Sequence, residues 1–313
     1  MASELNLPQL TSIKPFITEG GIETTLIYTK NIDLPNFSTL PVLNTEDGKE
    51  TISSIYKGYI DIARAHSTGV VLETRTWRGS PLWSSEIGLS IPQMVDLNHT
   101  AVKLLQGIRS ETPFDPIVIS GAMGPLQDAY QDSTVSFDQA REYYGPQIRA
   151  FAEEGVDMLC IMTVTNLDEA FGAVSLAREY NLPIHVSFSI ETDGRLRGGK
   201  TLEDAIREVD SVTENYVTYY GVNCAHPRYI IMAVQDMPME VRSRLGSIRG
   251  NSSLKSHEEL DNSTELDRGD IPGWVQEFNQ LVSMLPGLKV VGGCCGTDEE
   301  HIDAIAGRIH SAS

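Results

Sequence analysis

The chain has 313 residues, of which 41% are hydrophobic, and it carries a formal charge of −19 with a pI near 4.7. This acidic balance argues against nucleic acid and anionic membrane surfaces as partners. The length suits one large α/β barrel or two ordinary domains, and a core of that size does not depend on disulfides.

The sequence predicts a cytoplasmic protein. The stretch from Met1 to Lys14 has no apolar segment typical of a secretory signal. No apolar run approaches the roughly 20 residues that a membrane span requires. The four cysteines are not spaced as a disulfide framework, which favours a reducing compartment.

Short β-rich runs alternate with amphipathic helical patterns along the whole chain. The predicted strands are Phe16–Thr18, Val70–Glu73, Ile117–Ser120, Met158–Met162, Ile184–Ser189, Val217–Asn223, Leu245–Arg249 and Leu288–Gly292. The predicted helices are Ile52–His66, Pro92–Arg109, Phe137–Glu154, Leu167–Tyr180, Leu202–Glu214, Arg228–Met237, Pro272–Leu285 and Glu299–His310. Eight strands that are each followed by a helix predict an α/β fold, a single (β/α)8 TIM-type barrel over residues 1–313.

An open, doubly wound sheet is the rival architecture. It is disfavoured because no Gly-x-Gly-x-x-Gly pattern follows the first strand, where a dinucleotide site would lie. The acidic segment His257–Asp270 is a long connection after the seventh strand. Such a loop is usually either solvated or part of an active-site rim.

Three cysteines follow two of the predicted strands. Cys224 ends the sixth strand, and Cys294 and Cys295 follow the eighth between glycines that permit a turn. The carboxyl ends of barrel strands share one face, where active sites lie, so the three thiols should meet there. Three thiols suit a Zn²⁺ ion with an open fourth position, as in catalytic zinc sites. Three merely buried cysteines, or a disulfide between Cys294 and Cys295, are the alternatives. Cys160 lies inside the fourth strand and is expected in the core.

Several segments together resemble the zinc-dependent homocysteine S-methyltransferase family, which includes the betaine– and S-methylmethionine–homocysteine methyltransferases. The similarity is carried by the two cysteine motifs, Gly221–Cys224 and Gly292–Thr297. Glu19–Gly21, Ile119–Pro125 and Val186–Ser189 also resemble the family's segments at strands one, three and five.

The resemblance implies a zinc ion held by Cys224, Cys294 and Cys295, with a thiol substrate as fourth ligand. It implies methyl transfer from an onium-type donor to that thiol, with homocysteine as the default acceptor and methionine as the product. Both substrates are small molecules, and a homo-oligomer is left open. The expected substrate-binding positions are Glu19, Gly20, Trp77, Met162 and Asn223.

Two of these positions depart from the family's pattern. The family usually has a Glu at the end of strand four that binds the amino group of homocysteine, and this chain has Met162 there. At strand one the common Asp is Glu19, which is one methylene longer. Either Glu19 compensates through its reach, or the acceptor is a thiol without that amine. Structural drift, with Met162 filling core volume, is the other explanation.

Trp77 and His226 each carry two interpretations. Trp77 either holds an onium methyl by cation–π attraction or plugs the barrel mouth. Asn223 is expected to orient a ligand cysteine. His226 is either a fourth zinc ligand or the start of the next helix. A non-catalytic zinc-thiolate sensor is the competing function, since thiolates around zinc are oxidisable.

Overall fold

The strands form a closed parallel barrel in sequence order, as predicted. The computed structural model describes residues 7–130, 133–261, 263 and 265–310. The strands are β1 Phe16–Thr18, β2 Val70–Glu73, β3 Ile117–Met123, β4 Met158–Val164, β5 Ile184–Phe188, β6 Tyr219–Ala225, β7 Leu245–Gly250 and β8 Val290–Gly293. β1 pairs with both β2 and β8, which closes the ring.

Helices follow the strands and surround the barrel. Their bounds are Pro8–Thr11, Ile22–Thr24, Leu40–Leu43, Glu46–Ala65, Pro81–Glu86, Ile91–Glu111, Phe137–Glu154, Leu167–Glu179, Leu202–Thr213, Pro227–Val234, Met239–Arg242, His257–Asp261, Ile271–Met284 and Glu299–His310. The helix predicted to begin at Ile52 begins at Glu46, because Thr45 caps a polar first turn by accepting from the Gly48 amide. Hydrophobic periodicity alone does not reveal such a turn.

Alternation along the strands separates two layers of side chains. Ile17, Val70 and Ile119 belong to the large core between strands and helices. The alternate positions Phe16, Val71 and Val118 join a smaller apolar cluster with Leu7, Met158, Tyr219 and Val290. Since alternate residues of a strand point to opposite faces, this second cluster fills the barrel interior at the amino ends of the strands. Towards the carboxyl ends, the buried side chains become polar and charged.

Within the part of the chain that the structure describes, no helix combines the length and apolarity needed to cross a bilayer.

Candidate active site at the carboxyl ends of the strands

A cavity of about 370 Å³ opens at the carboxyl ends of the strands. Its wall includes the three cysteines predicted to bind zinc, and also Gly20, Trp77, Met162 and Asn223. The acidic segment after β7 contributes His257, Leu260, Ser263, Glu265, Leu266 and Asp267 to the wall. That segment is therefore part of the rim of this cavity.

The backbone turns sharply at each cysteine motif. Cys224 has φ +56°, in the left-handed region that a non-glycine residue rarely adopts, and the pairing register of β6 with β7 shifts between Asn223 and Ala225. β8 ends at Gly293, so Cys294 and Cys295 lie in the following turn, where Gly296 has φ +80°. As a result, the Sγ atoms of Cys224, Cys294 and Cys295 all lie within 4.8 Å of one another. The prediction that these thiols meet is confirmed.

Two of the three sulfurs are also paired with each other. Cys224 and Cys294 form a disulfide-type contact with their Cα atoms 5.5 Å apart. The expected alternative of a Cys294–Cys295 disulfide is wrong, because the partner of Cys294 is Cys224. A disulfide and a metal ion compete for the same sulfurs, since a metal ligand must be a thiolate. As thiolates, the three sulfurs form a soft donor set that fits zinc.

Asn223 contacts Cys224 from the adjacent position, and its expected role of orienting a ligand cysteine stays a prediction. Its Nδ2 donates to the Cys224 sulfur at 3.3 Å and to the Thr163 hydroxyl at 3.0 Å. Its Oδ1 accepts from the Thr163 amide at 2.9 Å and from the Ser187 hydroxyl at 2.7 Å. Nε2 of His257 lies 2.6 Å from the Cys224 carbonyl oxygen. These contacts from three neighbouring elements hold the strained turn at Cys224 in place.

His226 opens the helix after β6 and does not join the sulfurs. Its Nδ1 accepts from the Arg228 amide and lies 3.3 Å from the Glu277 carboxylate. Burial lowers the pKa of His226 to about 4, while Glu277 opposes this shift. Of its two interpretations, the helix start is confirmed. Among the described residues, the donors grouped with Cys224 are sulfurs only.

A second cluster of metal-ligating atoms lies inside the barrel. Glu73, Cys160 and His185 each place one ligand atom within 4.8 Å of the other two, and all three residues are buried. Burial raises the pKa of the Cys160 thiol well above its usual value and lowers that of His185 to about 3. Glu73 is ion-paired with Arg249. Because none of the three lines the cavity, this cluster is better described as core, as predicted for Cys160.

Glu19 lies behind the cavity wall. Its carboxylate is 0% exposed, accepts from Arg75 Nη2 at 2.8 Å and from the Glu73 amide at 2.9 Å, and does not line the cavity. Arg249 approaches it as well, at 3.7 Å. The predicted contact between Glu19 and a substrate amine therefore stays a prediction, and it competes with these buried partners. Arg249 was not singled out from the sequence, because its partners are distant along the chain.

The other expected substrate positions line the cavity. Met162 is 8% exposed and clusters with Ala122 and Cys160, against which Trp77 packs. A Cβ added at Gly20 would lie 2.8 Å from the Tyr59 hydroxyl, so only glycine fits there. One face of Trp77 is covered, because the guanidinium of Arg78 lies 4.2 Å from its ring centroid.

Comparison with known proteins identifies the family of this chain. The family model described as homocysteine S-methyltransferase matches residues 16–309. The chain belongs to the homocysteine S-methyltransferase family. Zea mays homocysteine S-methyltransferase 3 is 27% identical over 239 residues, which cover 71% of this chain and 68% of that protein. Arabidopsis thaliana homocysteine S-methyltransferase 1 is 21% identical over 321 residues, which cover 93% and 92% of the two chains.

Solved structures of a bacterial member have the same fold. The metallated form of the Escherichia coli homocysteine methyltransferase MmuM superimposes with a TM-score of 0.75 at 19% identity, covering 97% of this chain and all of that one. Its oxidized form gives a TM-score of 0.75 at 21% identity, covering 94% and 96%. These similarities place this member of the homocysteine S-methyltransferase family on the same barrel.

Proposed function

We propose that the protein is a zinc-dependent S-methyltransferase that moves a methyl group from an onium donor to a thiol, with homocysteine as the default acceptor. The observation that carries the proposal is the set of three sulfurs within 4.8 Å of one another on the wall of a cavity at the carboxyl ends of the strands. Family membership, established by the match over residues 16–309, supports the same reaction.

Each part of the site has a role in this proposal. Cys224, Cys294 and Cys295 would hold the zinc, and Asn223 orients Cys224. Zinc, when bound, lowers the pKa of a thiol substrate, which is otherwise near 8.5, so that the thiolate nucleophile is available at neutral pH. The thiol proton leaves to solvent, so no further general base is required. The cavity holds the two substrates in line and keeps water from the reacting atoms.

A second acceptor class is favoured by two residues. Met162 places a thioether where the family usually has a carboxylate. The carboxylate of Glu19 is already paired with Arg75 behind the cavity wall. A buried ammonium group requires a nearby carboxylate. A thiol that resembles homocysteine but lacks the amine is therefore the alternative acceptor.

A sensor role is less well supported than catalysis. A structural or sensing zinc site normally fills all four positions with protein ligands. Within the described ranges, the sulfur group contains three residues, and His226 is turned towards Glu277. A reducing cytoplasm would keep the three thiols available, and the acidic surface remains a poor match for nucleic acid. A homo-oligomer stays an open expectation.

Product analysis tests the proposal. Zinc-loaded protein would be incubated with sulfonium and quaternary ammonium donors and a panel of thiols, with detection of the methylated thioether by mass spectrometry. We expect methylation by the natural protein and by Cys160→Ser, whose sulfur lies outside the cavity, and none by Cys295→Ser. Equal turnover by Cys295→Ser, or none by the natural protein with any donor and thiol, would refute the proposal.

A further inference from the structure

Arg78 lines the cavity with hydrogen-bonding capacity that the described residues do not satisfy. The residue is 9% exposed, and its Nε and Nη1 atoms are buried without a hydrogen-bond partner. A buried guanidinium donor without an acceptor costs free energy, and native structures rarely retain one without a reason. An unpartnered buried cation on a cavity wall points to an anionic ligand.

Two indole rings hold the Arg78 guanidinium in position. Its central carbon lies 3.4 Å from the ring centroid of Trp83 and 4.2 Å from that of Trp77. Trp83 is itself fixed by donating its Nε1 hydrogen to the Pro125 carbonyl at 3.2 Å. Stacking engages the faces of the guanidinium, and it leaves the in-plane N–H groups at Nε and Nη1 without a hydrogen-bond partner. The indoles therefore orient this arginine without neutralising it.

Acidic groups near Arg78 do not remove the need for a partner. Burial lowers the pKa of Arg78 to about 10, while Tyr143, Asp128 and Tyr130 oppose that shift. None of these three donates to or accepts from the buried Nε and Nη1 atoms. The pKa falls because burial removes water from the guanidinium, and the neighbouring negative charges do not fully compensate for that loss.

The other two arginines on the wall are already neutralised. Arg75 donates to Glu19 and Glu23, and Arg249 is paired with Glu73. An anion that approached either one would displace a buried carboxylate. Arg78 offers its donors without that cost, which makes it the better anion site of the three.

The position of Arg78 relative to the sulfurs indicates what kind of anion it faces. Arg78 follows β2, whereas Cys224 ends β6, and these strands lie on opposite sides of the eight-stranded ring. The cavity thus has the Cys224 sulfur on one side and the Arg78 guanidinium on the other, while Cys294 and Cys295 follow β8, two strands from β2. A zwitterionic onium, with its cation towards the sulfurs and its carboxylate towards Arg78, would be oriented by this field for in-line transfer.

We propose that Arg78 is a specificity residue that binds a substrate carboxylate, and that the methyl donor is the favoured source of that group. Assigning the ligand as donor or acceptor rests on the proposed methyl transfer, but the carboxylate site itself does not. The two oxygens of a carboxylate accept two parallel N–H groups of a guanidinium. A sulfonium or ammonium ion that carries no carboxylate has no such acceptor. Homocysteine also carries a carboxylate, so the experiment must separate donor from acceptor.

Calorimetric binding with matched probes makes that separation. The donor pair is dimethylsulfonioacetate and trimethylsulfonium, and the acceptor pair is homocysteine and 3-mercaptopropylamine, which lacks the carboxylate. Each pair would be titrated into the natural protein, Arg78→Gln, Arg78→Lys and the control Arg64→Gln, whose arginine is exposed on an outer helix. Thermal melting would establish that each variant is folded.

We expect the natural protein and Arg64→Gln to bind the carboxylated donor about 10- to 100-fold more tightly than trimethylsulfonium. Arg78→Gln should reduce that ratio to near one, and Arg78→Lys should retain part of it. If the acceptor pair shows the loss instead, Arg78 binds the acceptor's carboxylate. If the natural protein prefers neither carboxylated probe, or if Arg78→Gln leaves both preferences intact, the inference is wrong. A preference retained by a protein that methylates no thiol would refute the proposed function alone.

Discussion

Arg249 on β7 and Glu73 on β2 form a buried ion pair inside the barrel, although they are 176 residues apart in sequence. Arg75 and Glu19 extend this pair into a network, with Arg75 on Glu19 at 2.8 Å. All four side chains are at most 4% exposed. Arg75 also donates to the partly buried Glu23, and these contacts between opposite charges let the layer persist where a barrel interior is usually apolar.

Removing one partner should therefore be costly. Arg249→Met leaves Glu73 buried beside Glu19 without its closest cation, and we expect a loss of about 3–5 kcal/mol in the free energy of unfolding. Urea unfolding would measure this loss, with Arg64→Met as the control. Arg64 pairs with Asp61 on the surface, so that control should cost less than about 1 kcal/mol. Equal losses in the two variants would contradict a stabilising role for the network.

Zinc content should depend on the cavity cysteines and not on the interior one. We expect reduced protein purified with zinc to contain one equivalent, and the Cys294→Ser, Cys295→Ser double variant to lose it, because two of three sulfur ligands are gone. Elemental analysis would measure the content. Cys160→Ser is the matched control, since Cys160 is buried outside the cavity, and it should retain zinc. Full zinc retention by the double variant would rule out the assigned site.

Met162 should determine how well an acceptor amine is recognised. We expect Met162→Glu to raise kcat/KM for homocysteine at least about tenfold relative to 4-mercaptobutyrate, which differs only by lacking the amine. The physical reason is that a carboxylate at this position would pair with a desolvated ammonium group. Competition between the two thiols in one reaction gives the ratio directly. The natural enzyme could prove efficient with homocysteine, and the kcat/KM ratio of the two thiols could be the same in Met162→Glu and in Glu19→Gln. That outcome would show that neither position recognises the amine.

Acid should destabilise the fold through His185. Burial lowers its folded pKa to about 3, against 6.5 in the unfolded chain, so the unfolded state binds more protons between these values. Its contribution to stability is complete above pH 6.5 and declines by about 1.4 kcal/mol per pH unit as the pH falls towards 3. We expect His185→Leu to flatten the dependence of the unfolding free energy between pH 6.5 and 4.5. Comparison at pH 7.5 isolates any packing loss, and parallel pH curves for the two proteins would contradict the prediction.

The sequence by itself determined the barrel and the meeting of the three cysteines. Hydrophobic periodicity placed every strand within three residues of its observed ends, and the eight strand–helix repeats favoured a closed barrel over an open sheet. The motifs at Cys224 and at Cys294 and Cys295 were informative because a closed parallel barrel brings the carboxyl ends of all its strands to one rim. The turn that aligns two adjacent cysteines was foreseen from the glycines around them.

Only the tertiary structure decided the partners of the charged side chains. Glu19 was expected at the substrate, but closure of the barrel places Arg75 and Arg249 beside it and withdraws its carboxylate from the cavity. Trp77 carried two interpretations, a face for an onium group or a plug of the barrel mouth, and the structure adds the Arg78 guanidinium stacked on its ring. Periodicity reports which side of an element is buried. Which charges pair, and how strongly they interact, depends on distances between residues that are far apart in the chain. Those distances are set only when the barrel closes.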